Sequence, residues 1–425
     1  MTYSEKYTHT MDLKKHDLFS LRIAQRNHDF NTKIDQFQNF IHELEKHREL
    51  SYFRMISSPM ERSVLVSYQG EAKKEVLMFG SNNYLGFAND PYIKEKVKNS
   101  IDSQGVGPAG PPLLNGYSKE HHFLEERLAH LKDSEAALIF PSGYQTNLGL
   151  IGSLVGRNDR LYIDQLSHAS TIDAINLANL GYKKFSHNSP ISLLELIQKN
   201  QKDGQLFVGI EGLYSMDGDI ASLDHIVEVI NKNNGICLLD DAHGTGLIGG
   251  QGKGVMELFE VPQTETLHIG TFSKSFAVNG GFVAGSKPLI NYIRYHARSY
   301  LFSASLSYIS IAAVHAGLDL IEKEPWRREQ IKSLNTHAKE AFREFELVVE
   351  PASAIIAIKV PSGVSIRQAT NGLFDLGFFV NAVEYPAVKK GSERLRISLM
   401  VYHEKEDIEQ LADAIAFVFN KYKEA

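Results

Sequence analysis

Residues 270–285 read GTFSKSFAVNGGFVAG. One lysine, Lys274, stands among small hydroxyls and glycines, with the apolar run ETLHIG before it and GGFVAG after it. An ordinary surface lysine belongs on a polar helix face. This one is expected at the end of a strand, in a tight and buried turn. A lysine withdrawn from water gives up its proton more readily and becomes a nucleophile for carbonyls, which it captures as a Schiff base.

The surroundings carry the same message. Between about residues 90 and 290, the short apolar runs AALIF, RLYID, QLFVGIEG, GICLLDDA and TLHIG are mostly separated by helical stretches. That rhythm is α/β, a mostly parallel sheet covered on both faces. DPYIKEKVKNSIDSQG reads as a helix ending at Gly105, and Ser118 as the cap of KEHHFLEERLAHL. Residues 61–80 alternate like a hairpin. After residue 300 one long helical stretch, SYISIAAVHAGLDLIEKEP, leads into a small α+β region. AIIAIKV, GFFVNAV and RLRISLM read as its strands, and EKEDIEQLADAIAFVFNKY as its closing helix. In FNTKIDQFQNFIHELEKH, Ile34, Phe37, Ile41 and Leu44 recur at helical spacing. The expected organisation is a helical arm over 1–60, a large α/β domain over 61–300 and a small C-terminal domain over 301–425.

Composition narrows the classes. A length of 425 residues suits two or three domains, and 43% hydrophobic with 23% charged residues is globular. A net charge of −6 without a basic stripe argues against a nucleic-acid partner. The single cysteine, Cys237, has no internal disulfide partner and reads as a buried, inert thiol in a reducing compartment. MTYSEKYTHTMDLKKHDLF lacks the apolar stretch of a signal peptide, and no run of ~18 apolar residues occurs, so a cytoplasmic location is expected.

Ligand sites in open α/β sheets lie at the carboxyl ends of the strands. There the chain places PSGYQTN after LIF, His168 after RLYID, Glu211, Ser215 and the Asp217–Gly218 turn after QLFVGI, and Asp240, Asp241 and His243 after GICLL. The Ser142–Gly143–Tyr144 turn opens a helix, whose free N–H groups favour a phosphate. Taken alone it reads equally as a plain connection, and His168 alone as an ordinary histidine. Acids beside a buried strand need a cationic partner, and a protonated pyridine nitrogen is one. Pyridoxal 5'-phosphate asks for a lysine, an acid for its ring nitrogen, a phosphate cradle and a stacking group. Lys274, Asp240, the Ser142–Gly143–Tyr144 turn with Thr271, and His168 supply all four. In RLRISLM, Arg394 and Arg396 alternate with apolar positions. Arg396 reads either as an inward arginine suited to a carboxylate or as an exposed edge-strand residue. No metal site is expected: His121, His122, Glu125 and Glu126 lie at i, i+4 spacing on one helix, but His122, Glu125 and Glu126 read as solvated. GGQGKG (249–254) lacks the Lys-Ser/Thr ending of a phosphate loop and reads as a turn.

SNNYLGF (81–87), NGYSKEHHFLEERLA (115–129), PSGYQTN (141–147), DQLSHASTIDA (164–174), EGLYSMDGDIA (211–221), LDDAHGTGLIG (239–249), GTFSKSFAVNGGFVAG, LFSAS (301–305) and RISLMVYHE (396–404) together resemble the α-oxoamine synthase family. The resemblance spans roughly residues 50–420 and is nearest to the bacterial serine palmitoyltransferase branch. It implies an aspartate-aminotransferase-like (fold type I) large domain and a homodimer with sites at the subunit interface. It also implies decarboxylative condensation of a small amino acid with an acyl thioester. By the same resemblance Lys274 would bind the cofactor aldehyde and move protons. Asp240 would pair with the ring nitrogen, and His168 would stack on the ring. Ser215 and His243 would reach the ring hydroxyl, and Ser142, Gly143, Tyr144 and Thr271 would hold the phosphate. Ser303 and Ser305 would contribute from the neighbouring subunit, Asn82 would line the substrate pocket, and Arg396 would grip the substrate carboxylate. L-serine with a long-chain acyl-CoA is the expected pair. GVGPAGPPLLNG (105–116) departs from the branch, with Pro111–Pro112 where a Ser-Arg pair is usual. That keeps open an acyl-carrier-protein donor, or an amino-ketone signal or natural-product synthase using another amino acid. An aminotransferase on the same fold is the competing activity. The arm reads as a dimer contact, a cap, or a peripheral membrane contact for taking up the acyl donor. The last is the weakest of the three, because the polar face lacks strong positive charge.

Overall fold

The computed structural model describes residues 17, 21–22, 26–68, 70–200, 203–260 and 265–423. Residues 1–16 of the expected arm lie outside them. Contacts divide the chain into two units. One comprises Met1–Ser81, Leu334–Pro351 and Ile355–Ala425, the other Asn82–Ser333 and Ala352–Ala354. The expected cuts at 60 and 300 therefore differ from the division by contacts. The N-terminal segment is grouped with the C-terminal region. The helix Tyr308–Lys323 stays with the α/β unit because it packs against the helices Pro91–Gln104 and Lys119–Leu131.

In the smaller unit, Asp29 caps the helix Phe30–Lys46 by accepting the Thr32 N–H. Of the expected stripe, Leu44 is buried, together with Phe40, while Ile34 and Phe37 stay exposed. β1 (Met55–Ile56), β2 (Ser63–Ser67) and β3 (Lys74–Met78) follow, and β2 and β3 form the expected antiparallel hairpin.

The larger unit holds β4 (Ala136–Phe140), β5 (Arg160–Asp164), β6 (Lys183–Phe185), β7 (Leu206–Glu211), β8 (Gly235–Asp240), β9 (Thr266–Thr271) and β10 (Gly281–Gly285). They form one sheet in the order β4-β10-β9-β8-β7-β5-β6. Every pairing is parallel except those of β10, which runs against both β4 and β9. Every residue of β7, β9 and β10 is buried, so both sheet faces are covered. Leu150, Ile151, Ala174, Ile175, Ile290 and Ile293 from three helices pack on strand residues Leu138, Ile163, Leu238, Ile269 and Val283. Because β4 runs with β9, the strands β4, β5, β7, β8 and β9 all end at one edge of the sheet, and β10 begins there. The chemistry-bearing residues follow those five ends.

The C-terminal strands complete the smaller unit. β11 (Ile355–Lys359), β13 (Asn381–Val383) and β14 (Arg394–Ser398) form a sheet with β14 in the centre, and β12 (Phe378–Phe379) joins β3. GFFVNAV is thus two short strands serving two sheets.

A half-buried ionic knot braces the strand-end edge of the larger unit. His187 meets Asp164 through Nδ1 at 3.1 Å and Asp219 through Nε2 at 3.0 Å. Burial would lower its titration, but the hydrogen bonds to Asp164 and Asp219 outweigh that and raise it to about 10. A cation with a raised folded-state titration stabilises fully below its unfolded value, near 6.5, and loses that contribution as pH climbs through about 10. His187→Gln removes the positive charge between two carboxylates but leaves Asp164 the N–H groups of Leu166 and Asn188, and is therefore expected to cost about 1–3 kcal/mol in urea unfolding at pH 6. The deficit should shrink as the titration is repeated towards pH 10.

Candidate active site

Ser142 ends the turn after β4 as the N-cap of the helix Gly143–Leu154, and its Oγ accepts the Gln145 N–H. The first N–H groups of a helix have no acceptor within it, and they open into a cleft of about 250 Å³ at the sheet edge. Thr271, the last residue of β9, stands at the same place. Its hydroxyl donates to Gly280 O at 3.1 Å, while Ser273 Oγ lies 3.0 Å away. The approach is close. A Cβ on Gly143 would lie 3.0 Å from Thr271 Oγ1, and one on Gly281 would lie 2.6 Å from Gly143 N. Glycine at both positions keeps the helix start open as a cradle for an anion.

Lys274 lines this cleft three residues after β9. It is half-buried rather than buried, a correction to the expectation for its turn: the turn faces the cleft instead of the core. Asp240 ends β8 and also lines the cleft. Its Oδ2 accepts from Asn147 Nδ2 at 3.0 Å, and its Oδ1 accepts from Ala242 N at 3.2 Å. Asp241, its neighbour in sequence, does a different job. It turns into the core and pairs with Lys132 at 2.8 Å, with both side chains 1% exposed. Gly254, at φ +100°, lets the chain pass Asp241, since a Cβ there would lie 1.6 Å from Oδ2. The expected cationic partner of the strand-end acids is thus a lysine for Asp241. Asp240 is left with amide donors on the cleft wall.

His168 caps the helix Ala169–Leu177. Its Nδ1 accepts the Ser170 N–H at 3.2 Å, which places the proton of the neutral ring on Nε2. Displacement of water by the cleft walls holds its titration below the usual histidine value. Lys274 adds to this and Asp240 opposes it. The ring is exposed at the cleft, as a stacking surface must be. His243 and Ser215 line the cleft as well. Tyr84 Oη, fully buried, lies 2.8 Å from His243 Nδ1 and 3.1 Å from Asn82 Oδ1.

Nine expected residues therefore meet around one cleft: Ser142, Gly143, Tyr144, His168, Ser215, Asp240, His243, Thr271 and Lys274. Four do not line it. Asn82 is one hydrogen bond removed, through Tyr84. Ser303 Oγ accepts from Gln145 Nε2 at 3.2 Å, at the cradle helix of its own chain. The backbone N–H of Ser305 donates to Gly110 O, which ties LFSAS to the Pro111–Pro112 segment. Arg396 belongs to the smaller unit. It is buried on the central strand β14 and donates to Ser398 Oγ at 3.0 Å, so the edge-strand reading is corrected. Asn147, which closes PSGYQTN, and Tyr84, inside SNNYLGF, carry no signal of their own in the sequence, because their partners Asp240 and His243 lie far away along the chain. Glu211 was noticed there without a role. His121 has both ring nitrogens in structural contacts, Nδ1 with Ser118 and Nε2 with Leu306 O, and Glu125, expected to be solvated, is instead buried and paired with Arg294 at 2.7 Å. Burial pushes the Cys237 thiol up to about 12, which suits an inert residue.

An amine, a carboxylate held by amides, an exposed neutral imidazole and a glycine-lined helix start with hydroxyls fit pyridoxal phosphate in every functional group it presents. The chain matches the family model for class I and II aminotransferases over residues 74–415. It is 35% identical over 391 residues to a serine palmitoyltransferase of Sphingobacterium spiritivorum, covering 92% of this chain and 96% of that protein. It is also 35% identical over 392 residues to an 8-amino-7-oxononanoate synthase of Saccharophagus degradans, covering 89% and 97%. A serine palmitoyltransferase structure from S. paucimobilis, with a bound PLP–myriocin aldimine, matches with a TM-score of 0.87 at 27% identity, covering 93% of this chain and 100% of that one.

The glycine cradle is open to test. Gly281→Ala forces a methyl group against Gly143 N and is expected to cost about 1–3 kcal/mol in thermal or urea unfolding. It should also weaken pyridoxal phosphate binding in an absorbance titration, whereas Gly152→Ala, with nothing within 4 Å of the new Cβ, should do neither.

Proposed function

This chain belongs to the class I and II aminotransferase family and, within it, to the pyridoxal-phosphate-dependent α-oxoamine synthases, and from that premise we propose that it condenses L-serine with a long-chain acyl-CoA. The observation that carries the chemistry is the cleft that gathers Lys274, Asp240, His168 and the Ser142–Gly143–Tyr144 turn at four strand ends. The choice of substrates is supported by likeness to serine palmitoyltransferases along nearly the whole chain. A second pair of substrates is favoured by equal identity to an 8-amino-7-oxononanoate synthase, and by Pro111–Pro112 where the serine palmitoyltransferase branch usually has a Ser-Arg pair.

When bound, pyridoxal phosphate supplies an electron sink for a carbanion next to the amino group. The chain's own residues do the rest. Lys274 Nζ would hold the aldehyde, and its free amine would be the group placed to carry the α-proton. Asp240, fixed by Asn147 and Ala242, offers its carboxylate to the ring nitrogen. His168 covers the ring with a neutral imidazole. His243, oriented by Tyr84, and Ser215 face the ring hydroxyl. The helix start at Ser142–Gly143–Tyr144 and the Thr271 hydroxyl would anchor the phosphate.

A homodimer is part of the proposal. Val106, Leu113, Leu114 and Phe302 are all more than half exposed, an apolar group that water disfavours. Val106, Leu113 and Leu114 lie on the segment that LFSAS ties down, and Phe302 lies on LFSAS itself. Ser303 and Ser305 would then serve the neighbouring subunit's phosphate. Among the described residues no helix is long and apolar enough to cross a membrane, so contact with a lipid surface would be peripheral.

Purified protein with pyridoxal phosphate should release thiol from a long-chain acyl-CoA in the presence of serine, with a keto-amine of the matching mass. Release only with another amino acid or acyl chain would keep the family and change the substrates. Cofactor conversion to the amine form without thiol release would favour transamination. Lys274→Ala should lose both the shifted absorbance of the bound cofactor and turnover, and normal thiol release by that variant would overturn the central assignment.

A further inference from the structure

Glu211 is a buried acid for which none of these roles accounts. It ends β7 as Asp240 ends β8, and the two are paired in register across parallel strands. Side chains at paired positions leave the same face of a sheet, and both residues line the cleft. Their surroundings differ. Asp240 accepts from Asn147 Nδ2 and Ala242 N at 3.0 and 3.2 Å. Glu211, 4% exposed, accepts only a long bond from Ser215 N at 3.4 Å, and its Oε1 is buried with no hydrogen-bond partner. Two carboxylates side by side in a dry site do not both ionise, and the proton goes to the one with fewer donors.

We propose that Glu211 is a positioning residue that holds the single proton of the Glu211–Asp240 pair and thereby keeps Asp240 the only anion at the base of the cleft, committed to the cofactor's ring nitrogen. The inference rests on the assignment of Asp240 to that nitrogen. The charged and titratable groups around Glu211 are Asp240 on β8, Lys274 after β9, Asp164 at the end of β5 and Tyr214 in the turn that follows β7. Burial and the Asp240 charge push its titration up to about 8, against the pull of Lys274. Above that pH a second carboxylate would compete with Asp240 for the same cationic partners.

Pyridoxal phosphate affinity, read by absorbance titration of the apoprotein from pH 6 to pH 10, tests this. Wild type should lose affinity above about pH 8, by up to ~tenfold per pH unit. Glu211→Gln, which cannot ionise, should bind near wild-type strength at pH 7 and lack that fall. Urea unfolding of the apoproteins gives a second reading. A carboxyl whose titration is raised in the folded state removes stability as pH rises from about 4.5 to about 8. The midpoint of Glu211→Gln should therefore exceed wild type at pH 8 and meet it at pH 4.5. A wild-type affinity fall that persists unchanged in Glu211→Gln, or equal midpoints at pH 8, would overturn the proposal. If Glu211→Gln does not fold, Glu211→Leu, equally unable to ionise, carries the same comparison. Asp240→Asn separates the two layers: if it leaves affinity and spectrum unchanged, the Asp240 assignment itself is wrong, whatever Glu211 does.

Discussion

A carboxylate that must greet a cationic ring has to be desolvated enough to matter and yet not already neutralised by a side-chain cation. Asp240 meets that demand with amides: Asn147 Nδ2 and the Ala242 N–H occupy its oxygens and leave the charge uncancelled. Asp241, one residue on, shows the alternative. It is bound to Lys132 in the core and serves stability alone. Removing one partner of such a buried pair typically costs about 3–5 kcal/mol. Two adjacent acids thus divide into a reactive one and a structural one because a strand's side chains alternate between faces.

The remaining geometry follows from what keeps that carboxylate in place. Asn147 lies on the first turns of the helix whose start lines the cleft, so that helix start and the Asp240 carboxylate are tied to one element. Gly143 and Gly281 permit the helix start to lie against the end of β9 without a Cβ between them. His168 is fixed by its role as a helix cap, which sets its tautomer as well as its place. The site therefore rests on residues tied to helices and strands rather than to long loops, which holds their geometry more closely. The knot of His187, Asp164 and Asp219 braces the same edge from beneath β5, β6 and β7.

Substrate choice is set by different features. The residues that grip a cofactor are polar and fall in motifs, while those that measure an acyl chain are scattered apolar positions whose sum depends on packing. This is consistent with equal identity to relatives named for two different reactions. The Pro111–Pro112 segment, held to LFSAS by the Ser305 N–H, is where this chain departs most from the branch it otherwise resembles.

The sequence by itself determined the order of elements, the parallel sheet and nine residues of the cleft, because strand ends in an α/β sheet are marked by abrupt changes from apolar runs to Gly, Ser, Asp and His. It did not determine which of two neighbouring acids faces the cleft, nor that Asn147 and Glu211 line it beside Asp240 while Tyr84 stands behind His243. Nor did it reveal that the N-terminal hairpin shares a unit with the last strands, since β3 finds β12 some 300 residues later. Those matters depend on register between strands and on pairs far apart in the chain. Tertiary structure decided them because a hydrogen bond such as Asn147 to Asp240 leaves no periodic trace in either segment.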